Sequence, residues 1–347
     1  MILNAYGILD LFLVLVRLSL GLFVFFSGCF CWQQGFQSES AEKQQSLEDR
    51  CYLLFLAALV LLSINVVSWP ILYLLLQSYV PEWYPRVMCI YGVTQIGSGS
   101  VGISRFLPGL LQTLQAIKPV LVFLSGCWFV LYLINRRTQT APLRARLVAT
   151  LILLGLVAVT DAVVEGAYLL IPKKEVQLST GCCTEAFDGA DRASRFLPQA
   201  IFGEDYEPWL YGAYYGVNLG MALALFLAIR RHLRHKGMAF LLFGALLSLP
   251  VNGIFLIEIA APKLLRLPHH YCPYDLLPQV PESLVAVILS LLGCFAVNWA
   301  AMAHWFAQGA ETRPFLNRVL KNLLALAQFC YLGSVLVMSL ELLLAKL

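Results

Sequence analysis

Apolar runs of about twenty residues or more recur along this chain, and each is long enough to cross the hydrocarbon of a bilayer as a helix. Eight can be placed, at roughly 11–34, 51–77, 118–135, 146–170, 211–229, 237–257, 285–305 and 319–345. Inside lipid every backbone polar group must find its partner within the spanning structure, which leaves helices or closed barrels. Barrel strands alternate apolar and polar residues in segments of about ten. These runs are continuous, so the fold class is an all-α polytopic membrane protein. Composition agrees. Of 347 residues, 60% are hydrophobic and 13% charged, against about 45–50% and about 25% in soluble domains. The first run lacks a basic leader and is too long for a cleavable signal, so residues 1–34 read as a retained first span.

Charge placement orients the spans. Arg136, Arg137, Arg144 and Arg146 follow the third span, Arg230, Arg231, Arg234 and Lys236 the fifth, and Arg313, Arg318 and Lys321 the seventh. Short loops rich in Lys and Arg stay in the cytoplasm. The connection from Ser38 to Arg50 is mixed in charge and orients less. Alternation then puts both termini outside, with three longer outer loops at about 78–117, 171–210 and 258–284. The expected site is a bacterial plasma (inner) membrane, and the chain reads as a single integral membrane domain. Stretches such as Arg105–Leu111 read as short interfacial helices.

The three outer loops resemble one another. The first runs Pro81, Cys89, then Ser104-Arg105-Phe106-Leu107-Pro108. The second runs Pro172, Cys182-Cys183, then Ser194-Arg195-Phe196-Leu197-Pro198, and the third Pro262, Cys272, then Leu276-Leu277-Pro278. A recurring period marks a duplicated unit. Here it predicts a threefold helix-loop-helix repeat over 51–135, 146–229 and 237–305, its cysteines gathered on one face.

Six of the ten cysteines, Cys29, Cys31, Cys51, Cys127, Cys294 and Cys330, fall in spans or at their inner ends and read as small hydrophobes. Cys89, Cys182, Cys183 and Cys272 form an outer set beside His269 and His270. Three chemistries compete for them. Disulfides suit an oxidising compartment, thiolate and imidazole suit copper, zinc or a haem-type group, and a labile disulfide suits electron exchange with partner thiols. A second constellation is polar and intramembrane. Asp161 and Glu165 share one face of the fourth span, Asn65 and Asn252 occupy roughly equivalent places in the second and sixth, and Glu258 follows near the outer end of the sixth. Asp10 and Arg17, two turns apart in the first span, read as a structural ion pair.

Several classes are excluded by the residues. No Gly-x-x-x-x-Gly-Lys-Ser/Thr cradle for ATP is present. Gly97, Gly99 and Gly102 neither follow a strand nor open a helix, so no NAD site is expected. The five histidines offer no paired axial ligands inside the bundle, and the basic residues are scattered over short loops, so no nucleic-acid partner is expected. The reading is an integral membrane subunit whose outward Cys/His cluster handles thiols, electrons, a soft metal or haem, with Asp161 and Glu165 serving proton or cation movement beneath it. The other reading is a permease, or the membrane anchor of a larger complex, whose disulfide-stapled outer loops dock an extracytoplasmic protein.

Overall fold

The computed structural model describes residues 4–34, 41–84, 87, 89–173, 187–189, 191–230 and 235–345. The described residues form helices and connections, with no strand. Among the described residues eight helical stretches are long and apolar enough to span a membrane: Ala5–Gln33, Asp49–Trp83, Ile103–Asn135, Arg144–Leu170, Glu207–Arg230, Lys236–Leu264, Pro281–Phe306 and Arg313–Leu344. Large apolar side chains such as Phe12, Phe26, Phe243 and Phe329 are exposed on these helices. Lipid is the solvent that such surfaces require, and the chain is an integral membrane protein.

The chain divides into two compact units. The first holds Met1–Gly181 with Gly309–Arg313, and the second Cys182–Gln308 with Pro314–Leu347. The middle one of the three expected repeats, 146–229, is therefore shared between the two units.

In the first unit, α1 (Ala5–Gln33), α2 (Ala41–Trp83), α4 (Leu107–Asn135) and α5 (Arg144–Leu170) are the long helices, and α3 (Ile90–Thr94) is a short one between α2 and α4. Asn4 caps α1, its side-chain oxygen accepting from the Gly7 N–H at 2.7 Å. Such a cap satisfies one of the donors that every helix start leaves over. α1 and α5 meet through small residues. Gly21 lies against Val159, Gly28 against Ile152 and Gly166 against Val14, so the two helices run antiparallel. A Cβ on Gly155 would stand 2.9 Å from the Phe25 backbone nitrogen and 3.0 Å from the Gly21 carbonyl oxygen. This close approach is the packing that small residues permit between helices in lipid. Gly309–Arg313 joins the unit through Glu311, whose carboxylate accepts from the Thr140 N–H at 3.1 Å and also from the Thr140 hydroxyl and the Gln139 N–H.

α4 begins eleven residues earlier than the sequence suggests. Leu107–Leu111, expected to lie on the membrane surface, is its first turn, and the helix continues through Pro119 to Asn135. Lys118-Pro119 reads as a boundary because a charge and a helix breaker stand together. Within lipid, neighbouring helices can offset the hydrogen bond that a proline removes, and Lys118 is buried at 1% exposure.

The second unit contains α6 (Ala193–Phe202), α7 (Glu207–Arg230), α8 (His235–Phe255), α9 (Ala261–Leu264), α10 (Pro273–Gln279), α11 (Pro281–Phe306) and most of α12 (Arg313–Leu344). A π-helical turn at Leu256–Ala260 carries α8 into α9. Its core stacks Tyr214 on Phe255, ring centres 4.0 Å apart, and packs Val335, Met338 and Leu342 against them. Asn218, Asn252 and Ser290 tie α7, α8 and α11 together. The Asn218 amide donates to Asn252 at 2.7 Å, and the Asn252 amide to the Ser290 hydroxyl at 2.6 Å. Asn65 makes the matching contact in the first unit, donating from α2 to Ser125 on α4 at 3.4 Å. Both asparagines thus join the second long helix of their unit to the third.

Candidate functional site

Four charged side chains meet inside the first unit. Asp161 and Glu165, one turn apart on α5, face α1 on one side and α4 on the other. The Lys118 ammonium from α4 lies 3.0 Å from Asp161 and 2.9 Å from Glu165, with the Ser68 hydroxyl of α2 at 3.4 Å. Arg17 from α1 reaches Asp161 at 2.9 Å and also contacts Glu165. All four are at 0–1% exposure, Arg17 and Lys118 near the middle of α1 and α4 and Asp161 and Glu165 within the last ten residues of α5.

The shared face of Asp161 and Glu165 is as expected from their spacing, but their cations are supplied by other helices. The Asp10–Arg17 ion pair expected within α1 does not form. Arg17 points to the α5 carboxylates, and both Asp10 oxygens have no hydrogen-bond partner among the described residues. Two carboxylates give a guanidinium more favourable charge than one carboxylate two turns away, which accounts for the exchange.

The network is incompletely satisfied. Among the described residues Arg17 Nε and Nη1, Asp161 Oδ1, Glu165 Oε1, both Asp10 oxygens and the Tyr168 hydroxyl are buried without a hydrogen-bond partner. More than nine in ten buried polar groups elsewhere in proteins have one. Ordered water is the usual partner of buried polar atoms that gather in this way.

Glu258 belongs to a different network, in the second unit. The π-helical turn presents its carboxylate to Arg192, which binds it with two hydrogen bonds of 2.9 and 2.7 Å. The Tyr206 hydroxyl donates to it at 2.6 Å and the Ser194 hydroxyl at 2.5 Å. Arg192 also lies over the Tyr271 ring, 3.6 Å from its centre. A polar cavity of about 1050 Å³ opens beside this group, and His269 is in its lining.

Of the outer Cys/His set, Cys182 and Cys183 lie outside the described residues. Cys89 belongs to the first unit and is buried at the start of α3. Cys272 belongs to the second and is buried at the start of α10. No disulfide joins two described cysteines of the same unit. His270 has both ring nitrogens engaged, Nδ1 with Asp188 at 2.9 Å and Nε2 with Asp275 at 2.8 Å. An imidazole held this way offers no lone pair to a soft metal.

Burial works against the charged imidazolium of His270, but hydrogen bonds and charges from Asp188 and Asp275 outweigh it and raise its pKa. The stabilisation from this clamp is therefore complete below the unfolded pKa of about 6.5 and is lost as pH rises through the higher folded value. The unfolding midpoint of the wild type is expected to fall across that window. His270→Gln flattens the dependence, and an unchanged slope in that variant would refute the clamp.

No protein-family model, curated protein or solved structure matches the chain. Fold and site together define its class: a helical membrane protein with, among its described residues, eight helices long and apolar enough to span the bilayer and a buried charge cluster in its first unit.

Proposed function

We propose that the chain is a permease that moves protons across the membrane through its first unit, with Arg17, Lys118, Asp161 and Glu165 as the coupling site. The observation that carries this reading is the burial of four ionisable groups within membrane-spanning helices, with half of their polar atoms lacking a hydrogen-bond partner among the described residues. A charged side chain at the centre of a bilayer costs at least about 2.5–3.5 kcal/mol on insertion scales, and residues kept there usually mark ion or proton pathways. A purely structural ion cluster would be expected to complete its hydrogen bonds, because an unpaired buried polar atom is costly.

The basic connection at Arg136–Arg146 is at one end of the unit, and the start of α1 and the end of α5 are at the other. In this reading the second end faces outward, in keeping with retention of short basic loops in the cytoplasm. The outer-thiol reading has less behind it, because His270 is committed to two carboxylates.

The test is proton entry into liposomes carrying the purified chain, followed by a trapped pH dye under an imposed potential. Glu165→Gln is expected to slow entry about tenfold or more, corresponding to a barrier higher by at least about 1.4 kcal/mol. The reading fails if wild-type vesicles are no more permeable than empty ones, or if a folded Glu165→Gln protein conducts as well as the wild type.

A further inference from the structure

Asp10 is the charge that the cluster leaves over. It is fully buried, and neither oxygen has a hydrogen-bond partner among the described residues. Val14 lies beside Gly166, and Gly21 and Gly28 lie beside residues progressively earlier in α5. Extending that antiparallel register sets Asp10 level with the last turn of α5, where Tyr168 stands. The Tyr168 hydroxyl is buried and likewise without a partner. Asp10 is within electrostatic reach of Arg17, Lys118, Asp161 and Glu165 on the deeper side, and of Tyr79 and Tyr168 on the other.

Lys173 closes this end. It lies three residues beyond α5 and is buried at 1% exposure. Its ammonium donates to the Tyr168 carbonyl at 2.6 Å and the Ile171 carbonyl at 3.3 Å, and sits 4.4 Å from the centre of the Tyr168 ring and 5.9 Å from that of Tyr79. Burial brings the Lys173 pKa down to about 8, so this amine can exchange a proton near neutral pH.

Charge balance points the same way. Arg17 and Lys118 are both committed to Asp161 and Glu165, so the group of three carboxylates and two cations carries one negative charge in excess. An unpaired buried carboxylate is neutralised by a proton rather than held charged. We infer that Asp10 is the residue that takes up and releases the transported proton, with Tyr79, Tyr168 and Lys173 lining its approach from the end of the unit that carries Lys173. Uptake adds one proton to a carboxylate oxygen of Asp10 and makes the five-residue group neutral; release restores the single negative charge. The transported status of that proton rests on the permease reading, while its residence on Asp10 does not.

Infrared difference spectra of the full chain in nanodiscs, taken across the neutral pH range, read that residence directly. The wild type is expected to show one titrating carboxylic C=O band. Asp10→Asn removes the band and reduces vesicle proton entry about tenfold or more, a barrier increase of about 1.4 kcal/mol or more. Asp10→Glu retains both the band, at a shifted frequency, and the entry, and it guards against a folding defect in the asparagine variant. Glu165→Gln balances the charge of the group, so the band titrates at lower pH while the entry is lost. A band that persists unshifted in Asp10→Asn and Asp10→Glu overturns the assignment, even where Glu165→Gln abolishes entry. If the band is lost in Asp10→Asn but the wild type conducts no protons, the proton site on Asp10 stands and the permease reading falls.

Discussion

Lys118→Met is expected to destabilise the protein by about 3–5 kcal/mol, the cost of removing one partner from a buried ion network. The lysine ammonium is shared between Asp161 and Glu165 at 3.0 and 2.9 Å. Without it Arg17 alone faces both carboxylates, with Asp10 nearby. Methionine matches the lysine stem in shape, so little of the loss comes from a cavity. Adding Glu165→Gln to Lys118→Met restores the original balance of charge and is expected to recover part of the loss. The two changes are therefore non-additive, as neighbours in one network are. Unfolding in mixed detergent micelles measures both. A Lys118→Met protein within about 1 kcal/mol of the wild type would mean the carboxylates are not held by Lys118, since breaking a buried pair costs several times that.

Arg192→Leu is the second large effect, at about 3 kcal/mol, the low end of the range for a broken buried pair. The low end applies because the pair stands beside an open polar cavity, where water can reach the carboxylate left behind. Among the described residues Arg192 is the only cation hydrogen-bonded to Glu258, and its two bonds fix α8 and its π-helical turn to the segment before α6. Its removal also takes away the stacking on Tyr271. Replacing both members, as Arg192→Met with Glu258→Met, is expected to cost far less than Arg192→Leu alone, because no charge is left buried without its partner. Equal losses in the single and double variants would show that the packing of Arg192, rather than its pairing, holds the turn. Thermal unfolding of each variant in the same detergent makes the comparison.

What could be read from the residues, and what could not, divides by the range of the forces involved. Eight spans follow from run length alone, because the thickness of the hydrocarbon is a property of the bilayer and not of the fold. The shared face of Asp161 and Glu165 follows from helical periodicity within one segment. Lys118 was not legible as a site residue. Beside Pro119 it carries the marks of a span boundary, and only its position among α2, α4 and α5 makes it a buried cation. The pairing of Arg17 was misread for a related reason: spacing within α1 favours Asp10, but the carboxylates that hold it come from a segment 144 to 148 residues further on. The bonding of Glu258 to Arg192 across 66 residues was equally out of reach. The sequence by itself determined the class, the eight apolar runs and the place of Asp10, Arg17, Asp161 and Glu165 within helices, since these depend on transfer from water to lipid residue by residue. Only the tertiary structure decided which charges neutralise one another and that Asp10 is the one left over, because electrostatic pairing acts over a few ångströms in space, whatever the separation along the chain.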